Sequence, residues 1–438
     1  MRLQRLFYKV DDADASNEPT ALRNGWLAPR CKAGAVVARS YEREGSIMND
    51  AIQHEPSTDV VVTTVAGQVA PTHYSDSPEY NDMVLSLLRQ SARAGNADSQ
   101  ATLGAMYACG DGVRKNHSIA LAFLRRAADK GHALALYNLG VIYARGYGVE
   151  VNSEVAFNCY AKAAERGSLD GLNNLGVCYQ HGFGCVRHLN LAFEKFREAA
   201  ERGYVISVSN CGYMKELGLG TDLDEEEALR YYRSAAGRGC VEAAYNLGRL
   251  LIFTKTFYND FALGREMLHK AAKMGSGDAW NLLGCIAYKG FKVERDYDQA
   301  RELFLQAERV GNAAALNNLA WLYQHGYGVP VDPTKAVHYY ADSAARGYSS
   351  AQCNLGYLYF HGLGVEKNTP KAFELFTQAV EAENTTAMFN LALLQLEPDS
   401  GYHDTARAAS LLKKCALAGF AEAKDLLDEI RYDEAHGA

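Results

Sequence analysis

Three histidines give the strongest hint of chemistry in this chain, because each stands before a glycine in a recurring string. These are His181, His325 and His361, and the last two occupy one register 36 residues apart. Neighbouring imidazoles could bind zinc, which takes four ligands in structural sites and three in catalytic ones. No certain third ligand accompanies the pair. We therefore expect these side chains to face a groove or surface, and we predict no metal and no other cofactor.

The cysteines do not form a better site. The chain has ten of them, but the nine within the repeat defined below occupy several different positions of it, and no Cys-x-x-Cys motif occurs. We interpret them as free thiols in a reducing intracellular compartment, the cytoplasm first and an organelle as the alternative. Phosphate loops, nucleophile elbows and dinucleotide fingerprints are also missing. The sequence thus predicts no catalytic residue and no enzyme.

Charge and hydropathy give no support to two classes of partner. The formal net charge is −7, so the composition indicates no basic surface for nucleic acid or anionic lipid. No run of residues approaches the roughly 18 apolar residues of a membrane span. We expect protein partners, no nucleic acid and no membrane insertion; the oligomeric state stays open.

The elements that position the histidines follow from a repeat of 36 residues. A small residue recurs without insertion at Gly104, Gly140, Gly176, Gly212, Gly248, Gly284, Ala320, Gly356 and Ala392. An aromatic residue or leucine recurs at Leu124, Tyr160, Phe196, Tyr232, Leu268, Phe304, Tyr340, Phe376 and Leu412. Apolar residues at helical spacing, glycines after each run and an Asp or Asn before the next predict two helices per copy, A and B. One hairpin cannot bury its apolar face alone, so the copies must stack.

The asparagine in the recurring Asn-Leu-Gly string has a structural interpretation. Asn138 and its equivalents lie on the same helix as the apolar column. Buried amides are usually hydrogen-bonded within the protein. We interpret these asparagines as satisfied structural amides and not as ligand contacts.

The string Ala-x-x-Asn-Leu-Gly-x-x-Tyr-x-x-Gly-x-Gly-Val, with the Ala-Ala-x-x-Gly that closes each copy, resembles the Sel-like repeat (SLR), a relative of the tetratricopeptide repeat. The resemblance covers about residues 98–430. It implies an all-α fold: a right-handed α-solenoid of tandem antiparallel helix hairpins, with a concave face lined by A helices. It also implies an adaptor or scaffold, as in adaptors of ER-associated degradation. Some SLR proteins are linked to β-lactam hydrolysis, but those resemble disulfide-stapled secreted chains.

We predict the following organisation from the limits of the repeat. The solenoid covers residues 79–430, with an N-terminal capping helix at 79–97, nine repeats at 98–421 and a C-terminal capping helix at 422–430. Residues 1–78 show no repeat and contain five of the nine prolines, so we expect a mostly disordered leader or linker. Residues 431–438 form a tail. The loops of copies five, six and nine lack the Gly-x-Gly string and need not adopt the common turn.

A partner would bind to the A-helix residues that vary between copies, since stacking alone does not require them to vary. By analogy with tetratricopeptide repeats, we predict a groove lined by Tyr137, Arg145, Asn173, His181, Tyr213, Tyr245, Arg249, Tyr288, Asn317, Trp321, His325, Tyr357, Phe360 and His361. Aromatic residues and arginine dominate binding energy at interfaces. The sequence therefore predicts a non-catalytic adaptor or scaffold. A structural subunit of a large assembly is the alternative, and a hydrolase or metal-dependent protein is a weaker one.

Overall fold

The computed structural model describes residues 78–254 and 256–436, and all regular structure within these two ranges is helical. The first ten helices are α1 Pro78–Arg93, α2 Ala97–Cys109, α3 His117–Asp129, α4 Ala133–Arg145, α5 Ser153–Glu165, α6 Leu169–His181, α7 Leu189–Glu201, α8 Val205–Leu217, α9 Glu225–Gly237 and α10 Val241–Phe253. The next ten are α11 Phe261–Lys273, α12 Gly277–Lys289, α13 Tyr297–Arg309, α14 Ala313–His325, α15 Pro333–Ala345, α16 Ser349–His361, α17 Thr369–Glu381, α18 Thr385–Leu396, α19 Thr405–Leu417 and α20 Ala421–His436. A short 3-10 helix, Pro398–Ser400, follows α18.

The helices alternate between the two predicted types. Even-numbered helices from α2 to α18 are the A helices, and odd-numbered helices from α3 to α19 are the B helices. Consecutive helices pack against each other from α1 to α9 and from α11 to α20, most extensively where an A helix meets the B helix of its own copy. This confirms the predicted all-α fold of tandem helix hairpins. The described residues divide into two compact units, the first ending at Leu250 and the second beginning at Leu251.

The ends of the repeat array carry one helix each. Helix α1 lies in the segment predicted as the N-terminal capping helix. Helix α20 continues to His436, beyond the predicted limit at residue 430. The predicted leader, residues 1–78, lies outside the described residues apart from Pro78.

The B helices begin at the predicted column of aspartate and asparagine. At Asn152 the side-chain Oδ1 accepts a hydrogen bond of 2.9 Å from the backbone N–H of Val155. Such a cap satisfies an N–H group that has no partner within the helix, and its loss costs about 1 kcal/mol. Eight B helices have it, at Asn116, Asn152, Asp224, Asp260, Asp296, Asp332, Asn368 and Asp404. In copy three His188 takes this place without a side-chain bond.

The second glycine of the Gly-x-Gly turn is required because the turn lies directly on the preceding repeat. Gly184 has a φ of +68°, and a Cβ atom there would lie 2.0 Å from the carbonyl oxygen of Ser153. Only glycine avoids both the left-handed strain and the clash. The end of each such A helix is therefore held against the start of the previous B helix.

Copy six reaches the same turn with a different residue, although its loop lacks the Gly-x-Gly string. Gly290 ends α12 at φ +68°, and Lys292 occupies the second left-handed position at φ +55°. Strain of about 1–2 kcal/mol is expected for a residue with a Cβ there. It is offset by a hydrogen bond of 2.6 Å from Lys292 Nζ to Asn259 Oδ1. Copy nine does depart, since α18 ends at Leu396 and the 3-10 helix follows.

The glycine and aromatic columns meet inside each hairpin. A Cβ atom at Gly140 would lie 2.4 Å from Cε1 of Tyr160, so the missing side chain lets the ring lie against the A-helix backbone. Phe196, Tyr232 and Phe304 in the same column are fully buried. Burying one such side chain contributes roughly 1.5–3 kcal/mol. The column residues therefore form the core between the two helices of a copy.

Buried asparagines connect successive A helices. Asn318 Nδ2 donates to Asn281 Oδ1 at 2.8 Å, and two further pairs 37 residues apart make the same bond, Asn173 with Asn210 and Asn317 with Asn354. The interpretation of satisfied amides is confirmed for these donors and is wrong for Asn138. That side chain is fully buried, and neither amide atom has a hydrogen-bond partner among the described residues. The residue 37 positions earlier is Ala101, which offers no side-chain acceptor.

Candidate functional site

The fourteen predicted groove residues differ in accessibility. Nine are half-buried: Arg145, His181, Tyr213, Tyr245, Arg249, Tyr288, Trp321, Tyr357 and His361. One, His325, is exposed. Four are buried: Tyr137, Asn173, Asn317 and Phe360. A partner can therefore reach only part of the predicted set without rearrangement of the helices.

The four buried residues serve contacts between helices and are removed from the predicted groove. Asn173 and Asn317 are the acceptors of the inter-repeat amide bonds, which turn them inward. Tyr137 is 2% exposed, and its ring centroid lies 6.0 Å from that of Tyr160. Phe360 is 3% exposed. These four residues vary between copies, and this variation predicted that they face a partner. A residue can also vary because it packs differently in each copy, and the sequence does not distinguish the two cases.

In the first unit, the side chains of Tyr232 and of the predicted groove residue Arg249 both bind the carboxylate of Glu216. Glu216 Oε2 accepts a hydrogen bond of 2.8 Å from the hydroxyl of Tyr232, and both its oxygens lie 2.5–2.7 Å from Nη2 of Arg249. Burial raises the pKa of Tyr232 well above its ordinary value, and the Glu216 carboxylate adds to this. Burial also opposes the charge of Arg249, but attraction to Glu216 outweighs it and the pKa of Arg249 is raised. Arg249 is therefore held as a cation in a fixed position.

In the second unit, side chains from two A helices and from the turn after the second one form a connected group, which we call the aromatic cluster: Tyr288, Trp321, His325 and Tyr327. Trp321 Nε1 donates a hydrogen bond of 3.0 Å to the hydroxyl of Tyr288 in the previous copy. The ring centroids of Trp321 and His325 are 3.9 Å apart, and those of His325 and Tyr327 are 5.8 Å apart. Tyr327 lies in the Gly-Tyr-Gly turn and is not among the predicted groove residues. Its position between two glycines is the only feature of the sequence that could have indicated its role.

The C-terminal histidines of the A helices pack against rings one helical turn earlier. His361 lies 4.4 Å from the ring of Tyr357 between centroids, as His325 lies against Trp321. Burial lowers the pKa of His361, and the charge of Lys367 lowers it further. At neutral pH its imidazole is therefore an uncharged ring, which suits packing against an aromatic side chain.

Two further features concern metal binding and membrane insertion. In residues 78–254 and 256–436, no three histidine, cysteine or carboxylate side chains come together as metal ligands would. Over the same part of the chain, no helix combines the length and the apolar character needed to cross a bilayer.

Comparison with known structures places the chain among similar repeat proteins. A protective antigen of uropathogenic Escherichia coli that displays an SLR fold is 30% identical, with 80% of this chain and 75% of that chain covered and a TM-score of 0.46. A Sel1 repeat protein from Oxalobacter formigenes is 22% identical over 56% of this chain and 96% of that chain, with a TM-score of 0.47. Yeast Tom70 is 16% identical, with 82% of this chain and 85% of that chain covered and a TM-score of 0.46. The search of curated proteins found no match.

A family model matches nine consecutive segments of the chain. The model is described as the Sel1 repeat, and it matches residues 97–132, 133–168, 169–204, 207–240, 241–276, 278–312, 313–348, 349–384 and 385–420. These matches cover well over half of the chain and coincide with the helix hairpins α2 to α19. The chain therefore belongs to the Sel1 repeat family.

Proposed function

We propose that this protein is a non-catalytic adaptor or scaffold that binds partner peptides or domains through side chains on its A helices. Repeats of this family are typical of protein-interaction scaffolds. Within each unit, stacked hairpins present one residue from each copy, which suits a peptide or a domain edge more than a small substrate.

The aromatic cluster is the observation that carries the proposal. It joins rings of two successive copies and leaves His325 exposed beside the half-buried Trp321. Tryptophan and tyrosine provide large contact areas at little entropic expense, and they are enriched where binding energy concentrates. The hydrogen bond between Trp321 and Tyr288 fixes both rings before a partner arrives, which reduces the ordering needed on binding.

The proposed contact set consists of the ten predicted groove residues that are half-buried or exposed. These are Arg145, His181, Tyr213, Tyr245, Arg249, Tyr288, Trp321, His325, Tyr357 and His361. We propose no nucleic-acid partner and no membrane insertion. We also propose a reducing intracellular compartment, the cytoplasm first, because no disulfide joins the nine cysteines in the described ranges.

Affinity purification with mass spectrometry tests the proposal by comparing the wild type with the Trp321→Ala, Tyr357→Ala double variant. A matched control is His338→Ala, Leu417→Ala, because both residues are exposed and lie on B helices. The single variant His325→Ala is added since removal of an exposed side chain should leave folding intact. Circular dichroism verifies that all variants keep their helicity.

The outcomes separate the two functions. Partners lost in the A-helix variants and kept in the control support an adaptor that binds through this face. A stoichiometric complex retained by every variant instead favours a structural subunit held by other surfaces. Equal loss in the control and the A-helix variants would refute the assignment of the binding face.

A further inference from the structure

A cavity of about 460 Å³ lies in the first unit, where α1 faces the loop between α2 and α3. Its apolar lining includes Leu85, Val113 and Ile119. Leu85 is 9% exposed and Ile119 is 38% exposed, so the lining passes from a buried floor to an open rim. The volume falls in the range of about 300–1,000 Å³ that is usual for ligand clefts. None of the predicted groove residues lines it.

The charged lining of this cavity is entirely cationic. Arg89, Arg114 and Lys115 contribute to it, and all three are exposed. Arg89 donates a hydrogen bond of 3.0 Å to the hydroxyl of Tyr107, which is a neutral acceptor. Lys115 Nζ lies 5.8 Å from the ring centroid of Tyr147. Within the part of the chain that the structure describes, none of the three cations forms an ion pair with a carboxylate.

The positive charge of Arg114 is not a by-product of the repeat. At its register, the copies with a comparable loop carry neutral or acidic residues: Glu150, Val186, Asp222, Glu294, Pro330 and Glu366. Cations do recur in some copies at the registers of Arg89 and Lys115, for example at Arg125 and Arg187. The combination of a cation at all three registers occurs only beside this cavity.

We propose that this cavity binds an acidic and apolar peptide segment of a partner protein. Carboxylates of the peptide pair with Arg89, Arg114 and Lys115, and guanidinium groups can hold a carboxylate through two parallel hydrogen bonds. An apolar side chain next to the carboxylate covers Leu85 and Ile119. This surface is separate from the A-helix contact set, so it adds a second place of attachment to the proposed scaffold.

Net charge favours a short acidic segment over a long polyanion. The whole chain carries a formal charge of −7, so a nucleic acid would meet repulsion beyond the cavity. A short peptide places its negative charge only beside the three cations. Its binding should weaken as salt increases, because exposed charge pairs are screened.

Fluorescence anisotropy with the full chain tests the proposal. The probe is a labelled short peptide that alternates aspartate with leucine. Two control peptides replace either every aspartate with asparagine or every leucine with serine. The protein variant is Arg114→Glu, Lys115→Glu, and its control is Lys413→Glu, Lys414→Glu, which makes the same charge change at exposed lysines of α19. Thermal unfolding verifies that both variants are folded.

We expect the aspartate–leucine peptide to bind the wild type and the Lys413, Lys414 control alike, and to bind the Arg114, Lys115 variant at least about tenfold more weakly. Both control peptides should lose at least about tenfold as well. Equal binding to the two charge variants would overturn the proposal, as would the absence of binding at about 1 mM peptide. The Trp321→Ala, Tyr357→Ala variant should bind the peptide normally, so failure here and failure of the A-helix proposal are distinguishable.

Discussion

Replacing Glu216 with glutamine should destabilise the first unit through its effect on Arg249. The side chains of Glu216 and Arg249 are 7% and 22% exposed, so the ion pair is largely shielded from water. Removing one member of a buried pair costs about 3–5 kcal/mol, because a charge is left without compensation. Glutamine can still accept the hydrogen bond of Tyr232, and Arg249 retains some solvent. We therefore expect a loss of about 2–3 kcal/mol in the free energy of unfolding.

The second unit contains a version of this network without charge. At the registers of Glu216, Tyr232 and Arg249 it has Gln324, Tyr340 and Tyr357, and the Tyr340 hydroxyl donates to Gln324 Oε1 at 2.9 Å. Arg249→Tyr alone should also cost about 2–3 kcal/mol, because it leaves the carboxylate of Glu216 buried without a cation. The double variant Glu216→Gln, Arg249→Tyr reproduces the other arrangement and should lose less than about 1 kcal/mol.

Urea unfolding followed by circular dichroism measures these free energies. Repeat arrays can unfold in parts, so hydrogen exchange of α8 and α10 should be recorded to locate the loss. The two single changes and the double change form a cycle, with an expected coupling free energy of at least about 3 kcal/mol. If the double variant loses as much as the sum of the two single variants, the charge argument is refuted.

Three further predictions concern other parts of the fold. Gly184→Ala should lower the free energy of unfolding by about 1–3 kcal/mol more than Gly239→Ala, since both glycines have positive φ but only the first would clash with backbone. Thermal unfolding of the two variants measures the difference, and equal losses would contradict the described contact. Asn318→Leu should cost about 1–3 kcal/mol because it strands the Asn281 amide. The same change at Asn138 should be neutral or stabilising, so a lower midpoint for Asn138→Leu would argue against an unsatisfied amide. Native-state alkylation read by mass spectrometry should modify the exposed Cys109 before Cys211 and Cys285, whose pKa is raised by burial; early labelling of Cys211 or Cys285 would contradict the described burial.

The sequence was sufficient for the fold because the features that define it are local or periodic. Caps such as Asn152 act within one turn of helix, and the Gly140 and Tyr160 columns repeat at a constant interval. The turn of copy six was left open by the sequence. There Lys292 substitutes for a glycine through a bond to Asn259 in the previous copy, and such a contact leaves no trace in the local pattern.

The candidate site was less predictable because it depends on which side chains bond across copies. The sequence identified Trp321 and His325 as variable A-helix residues, and the structure brings them together with Tyr288. It also identified Asn173 and Phe360, which the structure buries. A variable residue faces inward when it bonds or packs with a side chain 33 to 37 residues away in the next or previous copy. Periodicity gives the position of that side chain but does not say whether the two side chains interact.

The bonds between copies have a consequence for the evolution of the array. Asn318 and Asn354 each require a hydrogen-bond acceptor on the preceding copy, and Asn138 has none because Ala101 stands there. Two copies that look alike in the Asn-Leu-Gly string are therefore not interchangeable. Shuffling, deleting or duplicating a copy would create amide mismatches at both of its borders unless the exchanged units carried compatible edges. The order of the copies joined by these pairs is thus constrained by their polar edges, and we expect recombination within the gene to favour breakpoints that preserve the pairs.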